Sequence, residues 1–264
     1  MVEEIAKNLY RIPVPLEGNP LRELNSYFIR GTDRDLLIDT GFRTKACLVA
    51  LEDGLRTVRS DPARRDVLIT HFHTDHAGLA DLVAGVGCRI YMGQAEYLYN
   101  HHNADSKLDQ ETVQRFEMEG FGKERMSRMY VAESDNMTVP KFGDCLRTVP
   151  PHESLTYGDY RLENIPVPGH TPGNMMLWAE KQGIMFCGDH ILFDISPNIT
   201  PYAGVEDSLG NYLDSLCRAD AYPVRLALPG HRGSGAYHER IAQLLKHHDQ
   251  RLKEVQQIVT AAPG

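Results

Sequence analysis

Leu68-Ile69-Thr70-His71-Phe72-His73-Thr74-Asp75-His76-Ala77-Gly78-Leu79 decides how the rest of the chain reads, because His71, His73, Asp75 and His76 fall within six residues after an apolar run. Imidazole and carboxylate suit Zn²⁺ or a neighbouring first-row metal, and four such groups gathered this closely call for a positive charge to satisfy them. Val67-Leu68-Ile69 reads as a buried strand that delivers them to one loop. Asp75 and Ala77-Gly78-Leu79 predict a capped helix starting where the ligands end, running over residues 77 to 86. In the near-extended start of the loop His71 and His73 face the same way and can share one metal. Asp75 and His76 follow the turn and point more easily to a second.

Working outward, the same arrangement recurs. Residues 35 to 39 (DLLID) form an apolar strand ending in an acid, and Asp39 either orients a ligand histidine or caps a helix over residues 44 to 57. Val167-Pro168-Gly169-His170-Thr171-Pro172-Gly173 presents His170 on a backbone stiffened by proline at the end of a strand. Residues 174 to 187 form a hairpin turning at Glu180 to Gly183 and run into Gly188-Asp189-His190, where Asp189 is a metal-ligand candidate. His190 points away from Asp189 if the strand continues, which favours packing, or support of a ligand from behind, over ligation. Leu226-Ala227-Leu228-Pro229-Gly230-His231 repeats the strand, Pro-Gly, histidine device and adds His231.

The remaining segments read as scaffold. Short strands are expected at residues 9 to 15, 25 to 31 and 88 to 92, strand character resumes near Leu146, and Gly158-Asp159 turns a hairpin over residues 155 to 167. Helices are expected at residues 205 to 219 and, amphipathic and charged, at about 236 to 258, where His247, His248 and Arg251 lie far from any strand end. Between about residues 94 and 141 a polar stretch carrying Tyr97, Tyr99, Phe116, Met118, Phe121, Met126, Met129 and Tyr130 reads as a helical insertion, either packed in a core or dimer contact or forming a substrate wall. His101 and His102 read as surface residues. The alternation of strand and helix gives an α/β layered fold, a single domain over residues 1 to 264, built of two similar halves, one before about residue 92 and one after residue 145, that face each other with their ligand loops at one edge.

Composition bounds the function. The chain has 264 residues, of which 42% are hydrophobic and 24% charged, with a formal net charge of −8, so a strongly basic nucleic-acid-binding face is not expected. The acidic Met1-Val2-Glu3-Glu4 start lacks the basic end of an export signal, and no run is long enough to span a membrane, so a cytoplasmic protein is expected. Cys47, Cys88, Cys145, Cys187 and Cys217 are scattered and read as reduced thiols, none of them a ligand.

Together, His71-x-His73-x-Asp75-His76, His170, Asp189 and His231, with Asp39, occur in an order that resembles the metallo-β-lactamase superfamily. The resemblance implies an αββα sandwich with a binuclear site at one edge. His71, His73 and His170 would hold one metal, Asp75, His76 and His231 the other, and Asp189 would bridge them. It implies two divalent ions, Zn²⁺ first and Fe or Mn otherwise. The Pro-Gly-His-Thr-Pro-Gly run and His76 are most similar to glyoxalase II-like thioester hydrolases and related lactamase-like hydrolases; the C-terminal Pro-Gly-His and the helix bearing His247 and His248 resemble the latter more. Secreted β-lactamases often carry cysteine where this chain has histidine. Leu192 and Phe193 stand where acyl homoserine lactonases usually have tyrosine.

Two metals about 3.5–4 Å apart share a water and lower its pKa towards about 7. The expected activity is therefore hydrolysis of a small thioester or acyl ester by a metal-bridging hydroxide, with Asp75 as the catalytic residue orienting it. Competing readings are a single-iron oxidoreductase similar to persulfide dioxygenases, a phosphodiesterase or nuclease, and a binding protein without catalysis. The expected partners are a small-molecule substrate and, through the apolar insertion, a second copy of the chain.

Overall fold

The computed structural model describes residues 1–85, 87–103, 117, 118, 120 and 142–261. The expected insertion is described only in its first helix, Gln94–Asn103, and at those three isolated positions. The side chains of His101 and His102, and Phe116, Phe121, Met126, Met129 and Tyr130, lie outside the described residues.

Two sheets face each other. The first holds β1 (Glu3–Ala6), β2 (Leu9–Pro15), β3 (Glu23–Ile29), β4 (Asp35–Ile38), β5 (Arg65–Ile69), β6 (Ile90–Gly93) and β7 (Leu146–Val149) in sequence order. Its first four strands pair antiparallel, and β4 to β7 pair parallel. The second holds β8 (Ser154–Tyr157), β9 (Tyr160–Pro166), β10 (Met175–Ala179), β11 (Ile184–Gly188) and β12 (Leu226–Pro229), ordered β12-β11-β10-β9-β8. Both expected hairpins are present, β8 with β9 and β10 with β11. One expectation is corrected: the strand starting at Leu146 pairs parallel with β6 and closes the first sheet, so the second half begins at Ser154 rather than near residue 145. Pro150 and Pro151 stand between the two, and a proline cannot donate to a continuing ladder.

Alternation along the strands sorts apolar side chains into three cores. Between the sheets lie Tyr27, Ile29, Leu36, Ile38, Leu68, Leu162, Leu177, Phe186 and Leu228. On the outer face of the first sheet, Ile12, Val14, Phe28, Leu37, Val67 and Ile69 pack under Cys47, Leu51 and Leu55 of α1 (Lys45–Thr57). On the outer face of the second, Met176, Trp178, Met185 and Cys187 pack under α5 (Ser208–Ala219) and α6 (Tyr237–Ala261) through Tyr212, Leu216, Ile241 and Leu244. The result is the four-layered αββα sandwich. Fully burying one such side chain contributes about 1.5–3 kcal/mol, so the layers are held by many modest terms. Among the described residues all five cysteines are free, and no helix is long and apolar enough to cross a membrane.

The segment after β5 differs from the expected helix over 77 to 86. It forms two short helices, α2 (Thr74–Ala77) and α3 (Ala80–Val83), and the N-cap position of α2 is His73 rather than Asp75. Asp75 therefore lies inside the first turn, where its carboxylate faces His231 rather than capping backbone N–H groups.

Candidate metal centre

Every site residue is delivered by the carboxyl end of a strand, at one edge of the sandwich where the two sheets meet. From the first sheet, β5 runs into His71, His73, Asp75 and His76, and β4 into Asp39. From the second, the loop after β9 carries His170, β11 ends beside Asp189, and β12 leads to His231. Gly230 lets this last loop pass close: a Cβ there would run into the Asp189 carboxylate and the His76 ring. The sheets are joined at that point by Asn25 N–H donating to the Gly230 carbonyl at 2.7 Å and by the Asn25 side-chain amide donating to the Pro229 and Arg232 carbonyls.

All seven sequence-predicted residues come together. Ligand atoms of His71, His73 and His170 lie within 4.8 Å of one another, as do those of Asp75, His76 and His231, and those of His71, His76 and Asp189. His71 Nε2 is 3.0 Å from His73 Nδ1, His76 Nε2 is 3.3 Å from His231 Nε2, and His231 Nε2 is 3.2 Å from Asp189 Oδ2 and 3.3 Å from Asp75 Oδ2. Asp189 also reaches the other group, with Oδ2 3.8 Å from His170 Nε2. Donor atoms bound to one metal at about 2.1 Å in tetrahedral array sit about 3.4 Å apart, so these spacings match adjacent corners of a coordination shell.

The far ring nitrogens are tied in turn, which sets each imidazole's orientation. His170 Nδ1–H donates to the Asn198 carbonyl at 2.7 Å and His231 Nδ1–H to the Glu23 carbonyl at 2.8 Å. His76 Nδ1 bonds Asp39 Oδ2 at 2.8 Å, His71 Nδ1 bonds Thr70 Oγ1 at 3.1 Å, and His73 Nε2 bonds the Tyr202 hydroxyl at 3.0 Å. Asp39 thus orients a candidate ligand, and the cap of α1 falls to Thr44, whose hydroxyl accepts from Cys47 N–H. Asp39 adopts φ 58°, a conformation non-glycine residues rarely hold, and its carboxylate accepts from the Thr70 N–H and Thr70 hydroxyl as well as bonding His76.

Two buried atoms facing this centre have no hydrogen-bond partner, His170 Nε2 and Asp189 Oδ1. Buried polar atoms are rarely left so, and a cation between them accounts for both. The electrostatics divide the centre in two. Burial, then the neighbouring imidazoles, holds His71 well below its ordinary pKa; burial takes His73 down to about 3 and lowers His170, leaving three neutral imidazoles with free lone pairs. Burial also opposes charge on His76 and His231, but the carboxylates around them outweigh it, raising His76 and pushing His231 up to about 10. Burial would raise Asp75 and Asp189 as well, yet His76 and His231 hold both low. Protons on His76 and His231 thus balance the acids where a divalent ion would otherwise do so.

His190 is buried with its ring on Tyr212, centroids 5.1 Å apart, outside every ligand grouping among the described residues. His248 rests on the other side of the contact, 5.5 Å from Tyr212, and Arg251 pairs with Glu254 in solvent. Cys187 is buried and its thiol is pushed up to about 12 by that burial, so it stays protonated and is no ligand.

Two supports escape the sequence reading. Tyr202 reaches His73 from the long loop after Asp189, and its ring meets Phe72 and Tyr99 at centroid distances of 5.9 and 5.6 Å. Nothing in the sequence signals that path. Glu96, fully buried in α4 (Gln94–Asn103), accepts from Phe72 N–H, the Thr171 hydroxyl and Gly173 N–H, and burial pushes its carboxyl up to about 7. Asp39 and Asp189 each directly follow a buried strand, whereas Glu96 comes three residues after β6, inside the helix, so its position does not stand out in the sequence in the same way.

Comparison with known proteins places this geometry in a family. Residues 20–231 match the family model described as metallo-beta-lactamase superfamily. The chain is 28% identical over 218 residues to acyl-coenzyme A thioesterase MBLAC2 of Homo sapiens, covering 78% of this chain and 72% of that protein. It is 22% identical over 234 residues to the atrochrysone carboxyl ACP thioesterase AacuM of Aspergillus aculeatus, covering 87% of this chain and 57% of that one. The crystal structure of a metallo-beta-lactamase family protein from Thermus thermophilus superposes with a TM-score of 0.84 at 27% identity, over 97% of this chain and 84% of that one. The chain belongs to the metallo-β-lactamase superfamily, as a hydrolase on a fold that uses divalent metal.

Proposed function

We propose that the chain is a binuclear metal-dependent thioesterase. The observation that carries the metal half is the convergence of seven donor groups, all buried but the half-buried His73, whose outward imidazole nitrogens are all tied and whose inward atoms include His170 Nε2 and Asp189 Oδ1, neither of which makes a hydrogen bond. His71, His73 and His170 would hold one ion, Asp75, His76 and His231 the other, with Asp189 between them. Both subsets are complete, which favours two ions over the single iron of a persulfide dioxygenase. Bound there, the ions would polarise an acyl carbonyl and make water nucleophilic near pH 7. Zn²⁺ suits three neutral imidazoles, with Fe or Mn as alternatives.

The chain's own residues supply orientation. Asp75 is the acid in α2 between the two His positions, held ionised by His76 and His231, so its carboxylate can only accept a hydrogen bond and is placed to hold the attacking water by its proton. Tyr202 keeps the His73 ring in place. Thioesters are favoured over other acyl substrates because two of the relatives are named thioesterases, one for acyl-coenzyme A and one for an acyl carrier protein.

The test joins metal analysis to an acyl panel on protein purified without added metal or chelator. About two metal ions per chain, with free thiol released from acyl-coenzyme A, is the expected result. One iron per chain with oxygen consumed in the presence of glutathione persulfide would overturn it in favour of the oxidoreductase, and cleavage confined to phosphodiesters would overturn the substrate class.

A further inference from the structure

The two candidate metal subsets draw their residues from both sheets, so each needs something to hold the sheets in register at that point. At the Asp75, His76 and His231 subset the tie is Asn25, together with His231 Nδ1–H on the Glu23 carbonyl. At the His71, His73 and His170 subset the tie is a side chain from neither ligand loop. Glu96 Oε1 accepts from Phe72 N–H at 2.8 Å and the Thr171 hydroxyl at 2.7 Å, and Oε2 accepts from Gly173 N–H at 2.8 Å. Phe72 lies between His71 and His73, and Thr171 directly follows His170. Gly173 is pressed so closely on the start of α4 that a Cβ would run into the Glu96 and Ala95 backbone. One backbone bond, Met175 N–H to the Thr70 carbonyl at 3.2 Å, crosses the same gap.

We propose that Glu96 is the positioning residue of the three-histidine subset, a buried carboxylate that clamps the His71–His73 loop to the His170 loop and thereby sets the affinity of that metal position alone. This rests on the binuclear reading above. Three donors converge on two oxygens with no cation among the contacts, an arrangement that a carboxylate fills without conflict once ionised. A glutamine of the same size must turn its amide NH₂ towards Gly173 N–H or towards Phe72 N–H, so at least one buried donor loses its partner and the two loops are no longer held together.

The measurement is a calorimetric Zn²⁺ titration of the metal-free full-length protein, wild type against Glu96→Gln, repeated in a His231→Ala background that keeps the three-histidine subset and in a His170→Ala background that keeps the other. The expected result is affinity about 10- to 100-fold weaker for the three-histidine position, in keeping with the loss of a partner that orients ligands. The second position should stay within about twofold, with the melting temperature recorded as a control for folding. Equal weakening of both positions, or of neither, would overturn the clamp. Should Glu96→Gln fail to fold, Thr171→Val removes one of the three bonds and should weaken the same position by a smaller factor; no change would again overturn it. If the wild-type chain takes up two ions and Glu96→Gln matches it, only the clamp fails. If the wild type takes up none, the binuclear reading fails and the clamp with it.

Discussion

Two buried acidic clusters sit at opposite ends of β5, and only one of them is built like a site. At the start of the strand Asp66 is fully buried, and its oxygens take Arg34 Nε and Nη2 at 2.9 and 2.7 Å, Arg89 N–H and Nη2 at 2.8 and 3.0 Å, and the Tyr157 hydroxyl at 2.7 Å. Nothing is left over. Past the other end, the ion pairs of Asp75 and Asp189 are with histidines, and His170 Nε2 and Asp189 Oδ1 make no hydrogen bond. Burial of charge alone therefore does not mark function. What separates the two ends is unused donor and acceptor capacity: the Asp66 end is closed on arginine and tyrosine, while the His71 end balances its acids only with protons on His76 and His231, which a divalent cation can replace, and leaves His170 Nε2 without a hydrogen bond.

The sharpest way to break this contrast is to change one acid at the open end. Asp75→Asn keeps the size of the side chain but puts an NH₂ where an acceptor is required, and turnover on the acyl substrate should fall about 10²- to 10⁴-fold, the usual contribution of a positioned acid or base. Circular dichroism and the melting temperature should change little. A variant within a few-fold of wild type would mean that Asp75 neither orients water nor matters to the second metal.

Next comes Asp39, which joins the two kinds of chemistry because it is fully bonded itself and yet aims a candidate ligand. In Asp39→Asn the oxygen facing Thr70 N–H can be retained, so the amide nitrogen falls opposite His76 Nδ1. The ring must then give up its Nδ1 proton and carry it on Nε2, the atom that faces Asp189 and His231, where it blocks a metal. Metal affinity at the Asp75, His76 and His231 position should drop about 10-fold or more, with the three-histidine position unchanged. Zn²⁺ titration in the His170→Ala background measures it, and an unaltered affinity would show that Asp39 is scaffold like Asp66.

How much of this was legible beforehand follows the same division. His71, His73, Asp75, His76, His170, Asp189 and His231 could be found because each lies on the segment that leaves the carboxyl end of an apolar strand, and strand ends share an edge in a layered α/β fold. The two hairpins follow from alternation and turn chemistry at Gly158-Asp159 and at Glu180 to Gly183. The short helices after His73 could not be foreseen, because the inward pull on Asp75 and His76 overrides the local capping signal. Leu146 was assigned to the wrong half because a short parallel strand looks the same in either sheet. Tyr202 is not legible because its position depends on the course of a loop without periodicity, and Glu96 is not because it sits inside a helix, three residues past its strand, in a stretch whose other polar residues look the same.

The smallest effect tests the closed end. Asp66→Asn should cost about 1.5–2 kcal/mol of stability, the lower part of the range for hydrogen bonds to charged groups, because Arg34 and Arg89 are 28% and 44% exposed and can turn to water. Metal content should not change. Burial alone would raise the Asp66 pKa, but the bonds from Arg34, the Arg89 N–H, Tyr157 and the Arg89 guanidinium outweigh it and hold it below the ordinary 3.8. A carboxyl depressed in the folded state stabilises above its unfolded pKa and loses that contribution as pH falls through the folded value. The stability gap between wild type and Asp66→Asn should accordingly be constant from neutral pH down to about 4 and shrink below it. Urea melts at a series of pH values read this directly. A gap that instead closed between pH 6 and 8 would place the depressed group elsewhere and undo the claim that this end of β5 is purely a scaffold.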